Sequence, residues 1–279
     1  MTEKAGENMI EKEKPKKATD MEGVRLVAKG LLSTEIRDTE YAPLIISHPF
    51  ANSGIVFLPG KNGREMLDIT SSGENRMQWR KYLDKRIDQA ESVFQICCMM
   101  NKPYLLTFLK YAQPHIEQKE FAQLLGLCWM QTEAPNQDAN VSQTEFVEMF
   151  QKASAEDLMN LDEHRKFAEL PDEITVYRGL TEKNKDNILA MSWTMKQETA
   201  EWFANRFKGK GKVYRAKIRK EDILAVFLGR NESEIIVDPK SLKEISLCEP
   251  AMTAVAKMTA AEQQYKEIAN QEGVMQYDF

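Results

Sequence analysis

Glu173-Ile174-Thr175-Val176-Tyr177-Arg178-Gly179-Leu180 follows Pro171 and sets apolar against polar side chains in alternation. That period of two predicts a strand with one buried face, ending in an Arg-Gly turn. Downstream, Tyr214, Ala216 and Ile218 alternate in the same way, 223–228 is a third apolar run, and Ile235-Ile236-Val237 is a fourth, ended by Asp238-Pro239. Between the first two strands, Ala200, Phe203, Ala204 and Phe207 recur at helical spacing. Thr194-Met195-Lys196-Gln197 reads as a capping box in front of that helix. The Ala-rich, breaker-free stretch 252–268 predicts a terminal helix.

Upstream of Pro171 the pattern is helical. Segments 76–100, 104–112, 117–131 and 142–170 run without Pro and are broken at Pro103, Pro114 and Pro135. Phe121, Leu124, Leu125 and Cys128 fall at i, i+3, i+4 and i+7, which makes one apolar face. Met99, Met100, Trp129 and Met130 read as packing residues of this layer. Earlier still, short apolar runs between 41 and 70 alternate with His48-Pro49 and Pro59-Gly60, which is strand and turn chemistry. Residues 1–20 are mostly Lys, Glu and small polar side chains, too poor in apolar surface to offset the entropy of ordering. The predicted organisation is α+β: a tail over 1–20, a small β element over 21–74, a helical region over 75–170, a strand-rich core over 171–250, and a helix with tail over 251–279.

A net charge of −5 argues against non-specific coating of nucleic acid, which needs an excess of cations. The cysteines at 97, 98, 128 and 248 form no CxxC pair, and His48, His115 and His164 have no ligand spacing, so no metal site is expected. The adjacent Cys97 and Cys98 read as small core residues. No stretch approaches the ~18 apolar residues of a membrane span, and the N-terminus has no apolar signal segment. With reduced thiols, these features suit a cytoplasmic protein that does not enter membranes.

Three short patterns carry candidate chemistry. On a strand, Glu232 and Glu234 of Glu232-Ser233-Glu234 would place two carboxylates on one face about 7 Å apart, close enough to titrate as a coupled pair. A charged edge strand is the alternative reading of the same residues. Arg178 offers a fixed fork of donors suited to two oxygens at once, and Gly179 removes bulk where a ligand can approach the backbone. A surface Arg before a turn also accounts for that pair. Ser192-Trp193-Thr194 would put two hydroxyls on one face, where they can orient a carboxylate or a ribose; Thr194 also reads as a helix cap.

Taken in order, Tyr177-Arg178-Gly179, Ser192-Trp193-Thr194 with its A-x-x-F-A helix, and Glu232-Ser233-Glu234-Ile235-Ile236-Val237 resemble the R-S-E clade of mono-ADP-ribosyltransferases. The resemblance covers 174–237 and implies a split β-sheet core with NAD as a consumed co-substrate. It implies that Arg178 contacts the NAD phosphates, Gly179 offers its backbone to the nicotinamide amide, Ser192 holds Glu234, and Thr194 supports the site. Glu234 would be the catalytic acid that grips the nicotinamide ribose, and Glu232 would align or deprotonate the acceptor. An E-x-E pattern goes with arginine acceptors. Only fourteen positions separate Arg178 from Ser192, shorter than the clade's usual spacing, so a covering helix between them is either missing or replaced by residues of 75–170. Toxins and phage effectors with an inhibitory antitoxin or a carrier are common in such families.

The acceptor has a competing reading. From Arg206 to Lys220 there are eight cations and no acids, and 171–250 holds fifteen basic against thirteen acidic side chains, net +2 in an acidic chain. Lys208, Lys210, Lys212 and Arg215 could track a polyanion, with Trp193 or Tyr214 stacking a base of RNA or single-stranded DNA. A solvated hairpin rim explains the same run. A non-catalytic partner-binding module is the third reading.

Overall fold

The computed structural model describes residues 18–61, 63–207, 211–229 and 232–248; the expected terminal helix and most of the expected tail lie outside them. Where the described chain begins it is already fixed. Thr19 donates to the Glu120 carboxylate, and Asp20 N–H donates to His115 O. The β element expected over 21–74 starts later than the sequence suggests, because its first 12 residues are helix α1 (Met21–Leu32). Asp20 caps α1 by accepting from Gly23 N–H, and Val24, Ala28 and Leu32 recur every fourth residue on its buried face. The β structure proper is a two-residue pair, β1 (Arg37–Asp38) with β2 (Ile46–Ser47), and a hairpin of β3 (Ile55–Gly60) with β4 (Gly63–Asp68).

The helical layer follows as α2 (Gly73–Asp88), α3 (Val93–Cys97), α4 (Leu105–Ala112), α5 (Gln118–Gln131), α6 (Gln143–Lys152), α7 (Ala155–Leu158) and α8 (Leu161–Ala168). Two segments expected to be continuous are broken, each by a capping side chain. Ser92 accepts from Gln95 N–H and starts α3, while Asn160 and Glu163 form a reciprocal capping box at α8. On α5 the expected face is buried as Phe121, Leu124, Leu125 and Cys128. Of the cysteine pair, Cys97 is buried and Cys98 exposed.

His48, in the turn after β2, is fully buried, with its ring edge-on to Trp79 at 5.0 Å and Nδ1 accepting from Phe50 N–H at 3.0 Å. Burial, reinforced by the Arg80 charge, lowers its pKa to about 4. The imidazole is therefore neutral in the fold and protonates more readily once unfolded. Its contribution is complete above the ordinary histidine value near 6.5 and is lost as pH falls from there toward 4, up to about 3 kcal/mol. Urea unfolding at pH 7 and pH 4.5 should show that loss, and His48→Gln should flatten it. An unchanged slope in the variant would assign the acid sensitivity elsewhere.

After Pro171 come β5 (Glu173–Leu180), β6 (Ser192–Thr194), α9 (Gln197–Asn205), β7 (Lys212–Arg219), β8 (Ile223–Phe227), β9 (Glu234–Val237) and β10 (Lys243–Leu247). The run 188–191 is not strand; β6 starts at Ser192. All six strands form one antiparallel sheet in the order β10-β7-β5-β6-β9-β8, so the described chain is mixed helix and strand, compatible with α+β. Pairing is uneven. β5 and β7 match along their whole lengths, from Glu173↔Arg219 to Leu180↔Lys212, whereas β5 meets β6 through the single pair Tyr177↔Thr194. The sheet is thus two three-stranded halves joined at one point, and a cleft opens where they part. The helical layer and the sheet share one continuous core from Val24 to Val237. Among the described residues no helix is long and apolar enough to cross a membrane.

Candidate active site

At the junction of the half-sheets, adjacent strands β5, β6 and β9 bring Arg178, Ser192 and Glu234 together. Glu234 is 6% exposed, and its Oε1 accepts from the Ser192 hydroxyl and, at 3.2 Å, from Trp129 Nε1 of α5. A buried carboxylate persists only where donors and positive charge replace its water. Arg178 supplies the charge. Its Nη1 donates to Ser192 O at 2.5 Å and its Nε to Asn187 O at 3.1 Å, so the guanidinium ties the half-sheets together where strand pairing stops. Burial lowers the Arg178 pKa to about 10 and Glu234 opposes that shift, which leaves it a cation at neutral pH.

The second acid occupies a different setting from the one expected. β9 starts at Glu234, and Ser233 has φ of +48°, so Glu232 is held in a turn and the two carboxylates do not share a strand face. That turn is stitched to the end of β6. Thr194 Oγ1 donates to Glu232 O at 2.6 Å, and Met195 N–H donates to Ser233 O at 3.1 Å. Thr194 is consequently not the cap of α9; Lys196 holds the N-cap position without a side-chain cap, and Thr194 Oγ1 accepts from Lys196 N–H. Gln197 reaches forward to Glu201 at 2.9 Å, so the expected capping box does not form.

The cleft encloses about 320 Å³, and both glutamates, Arg178, Gly179, Ser192 and Thr194 line it. The short connection after β5 contributes Thr181, Asn184 and Asn187, with no helix among them. The opposite wall comes from the helical region, as the loop 133–137 after α5. Asn136 Oδ1 accepts from Met191 N–H at 3.1 Å, and Gln143 donates to Leu189 O at 2.5 Å, fixing that wall to the segment before β6.

Several of these residues escape sequence reasoning. Trp129 was read as packing and Phe203 as part of an apolar helix face. On α9 only the alanines are buried, Ala200 and Ala204, while Trp202, Phe203 and Arg206 line the cleft. Arg206 lies over the rings of Phe203 and Phe207, at 5.2 and 4.8 Å. The small residues face the sheet because Gly179 lets the α9 backbone approach it: a Cβ there would stand 1.9 Å from Ala200 O. Close packing is thus a sufficient reason for this glycine.

Among the described residues, those expected to hold a polyanion do not converge. Trp193 is 2% exposed and donates Nε1–H to Ala190 O, which removes it as a stacking platform. Tyr214 lies on β7 opposite Arg178 and packs against the core, outside the cleft lining. Lys212 and Arg215 also lie on β7 away from that lining, and Arg215 donates to Ser246 Oγ at 3.1 Å. Lys208 and Lys210 lie outside the described residues. Farther along the basic run, Lys217 pairs with Glu173 and Glu244, Arg219 with Glu221 and Asp222, and Lys220 donates to the carbonyls of Ala168 and Leu170. Local pairing accounts for much of this charge. Compared with protein-family models, curated proteins and solved structures, the chain matches none.

Proposed function

We propose that this chain is an NAD-dependent mono-ADP-ribosyltransferase of the R-S-E type, built on a split-sheet core, that transfers ADP-ribose to a macromolecular acceptor and releases nicotinamide. The observation that carries the reading is the meeting of Arg178, Ser192 and Glu234 in one cleft, with the Ser192 hydroxyl on the Glu234 carboxylate. Nothing in a structural role requires a buried carboxylate at the floor of a polar cleft, since its burial costs several kcal/mol unless repaid by partners.

On this reading NAD is the substrate consumed in the cleft. Glu234 is placed to hold a ribose hydroxyl and to stabilise positive charge developing at the anomeric carbon. The C–N bond to nicotinamide breaks with its electron pair leaving on nicotinamide, and an acceptor lone pair forms the new bond to that carbon. The acceptor's proton passes to Glu232, which lines the cleft in a turn held by Thr194. The preorganised cations are Arg178 inside and Arg206 at the rim, both suited to a pyrophosphate. A second carboxylate beside the reacting carbon favours arginine, whose guanidinium is almost always protonated in water.

A nucleic-acid base is the second reading. It is favoured by Trp202, 62% exposed in the cleft lining, and by Phe207, 57% exposed under Arg206, which offer stacking surface. Incubation of the chain with labelled NAD and total lysate, followed by nuclease or protease, separates the two. Label that survives nuclease and is lost with protease is expected; the reverse pattern makes a nucleic acid the acceptor. Release of no nicotinamide under any condition would leave the non-catalytic binding module. A cytoplasmic toxin or phage effector, restrained by an antitoxin or a carrier, is the biological setting that this activity suggests.

A further inference from the structure

We infer that Trp129 is a positioning residue for Glu234, so that the helical region is a working part of the active site; this rests on the transferase reading above. Indole Nε1–H is a donor only, and in Trp129 it points 3.2 Å from Glu234 Oε1, across 105 positions of sequence. Ser192 donates to the same oxygen from β6. Two donors on one oxygen, from different layers of the fold, restrict rotation of the carboxylate.

The indole itself has little freedom. It is fully buried, and the rings of Phe146 and Phe150 on α6 meet it edge to face at 90°, with centroids 5.5 and 5.1 Å away. One turn earlier, Gly126 lets α5 close on the chain at α7, where a Cβ would stand 2.6 Å from Leu158 O. Immediately after Trp129, Thr132 ends α5 by returning its hydroxyl to Cys128 O, and the chain enters the loop 133–137 that walls the cleft. A single helix end therefore sets both the carboxylate and the wall beside it. A core tryptophan that needed only a partner for its N–H would be served by a backbone carbonyl, without the cost of burying an ionised side chain. That cost is understandable where the carboxylate must be held in one orientation for transition-state charge.

The test removes the donor and keeps the shape. Replacement of Trp129 by benzothienylalanine, in which sulfur stands for the N–H, is compared with Trp129→Phe in the full chain. Nicotinamide release is measured across NAD concentration, with thermal melting of each variant. Benzothienylalanine at 129 should lower kcat about tenfold, as loss of a hydrogen bond to a charged group would, with KM within about twofold and melting lowered by a few degrees but still cooperative. In parallel, the Trp129 indole N–H resonance should move in Glu234→Gln. An unchanged kcat in the isostere assayed below its melting temperature, or an indole resonance blind to Glu234→Gln, overturns the inference while the transferase reading stands. If the unmodified chain releases no nicotinamide, the transferase reading falls and this role falls with it.

Discussion

Glu234→Gln is expected to lower NAD turnover by about a thousandfold while KM changes little, because the substitution removes the charge that the transition state needs and keeps the shape that the fold needs. Glutamine retains an oxygen for Ser192 and Trp129 to donate to, so the local hydrogen bonds can survive. Arg178 loses a charged neighbour, which costs some stability but leaves its bonds to Asn187 and Ser192 in place. Alanine would be a poorer probe. It would leave two buried donors without an acceptor and mix unfolding with loss of chemistry. Nicotinamide release quantified by chromatography, with circular dichroism to confirm the fold, gives the answer directly. Turnover within tenfold of the parent would remove Glu234 from the chemistry.

The residues legible in the sequence share one property: each sits where strand alternation or a short motif fixes its place. Arg178 lies near the end of the alternating strand β5, Ser192 opens β6, and Glu234 opens β9, so three local patterns were enough to name the centre of the cleft. The same logic misplaced Glu232. Strand periodicity was carried two residues too far, through Ser233 to Glu232, and no alternation pattern announces the positive φ of Ser233. Thr194 misled for a related reason: S/T-x-x-Q is a cap only if the helix begins at the next residue, and here the hydroxyl is engaged by the Glu232 turn that leads into the neighbouring strand β9.

What sequence reasoning missed depends on contacts across long separations. Trp129 looks like any core tryptophan until α5 is docked on β9, and Asn136 becomes a wall residue only when its loop meets Met191. α1 was hidden by its glycines, which lower helix propensity by about 1 kcal/mol each. Gly23 is there because the His115 ring occupies the space its side chain would fill, with Nδ1 2.0 Å from an ideal Cβ. Arg206 was read as part of a basic run, whereas its partners are aromatic rings on its own helix and in the residue that follows. Local composition cannot tell a cation placed by a helix at a cleft from one neutralised on a sheet face.

Gly179→Ala should be the most damaging single methyl that can be added to this chain's cleft. The new Cβ would lie 1.9 Å from Ala200 O and 2.8 Å from Ala204 N, and both are backbone atoms of α9 that no rotamer change can move. The helix must shift or leave the sheet, at a cost of about 3 kcal/mol or more for overpacking against backbone. Function should suffer beyond stability, since α9 carries Trp202 and Phe203, and its C-cap Arg206, along the cleft. KM for NAD should therefore rise even at temperatures where the variant remains folded. Gly30→Ala is the matched control: its Cβ would meet nothing within 4 Å in α1, and the helix should gain about 0.5–1 kcal/mol. Chemical unfolding of the two variants with NAD kinetics on each resolves the matter, and a Gly179→Ala protein as stable and as active as Gly30→Ala would mean that α9 does not pack on β5 in solution.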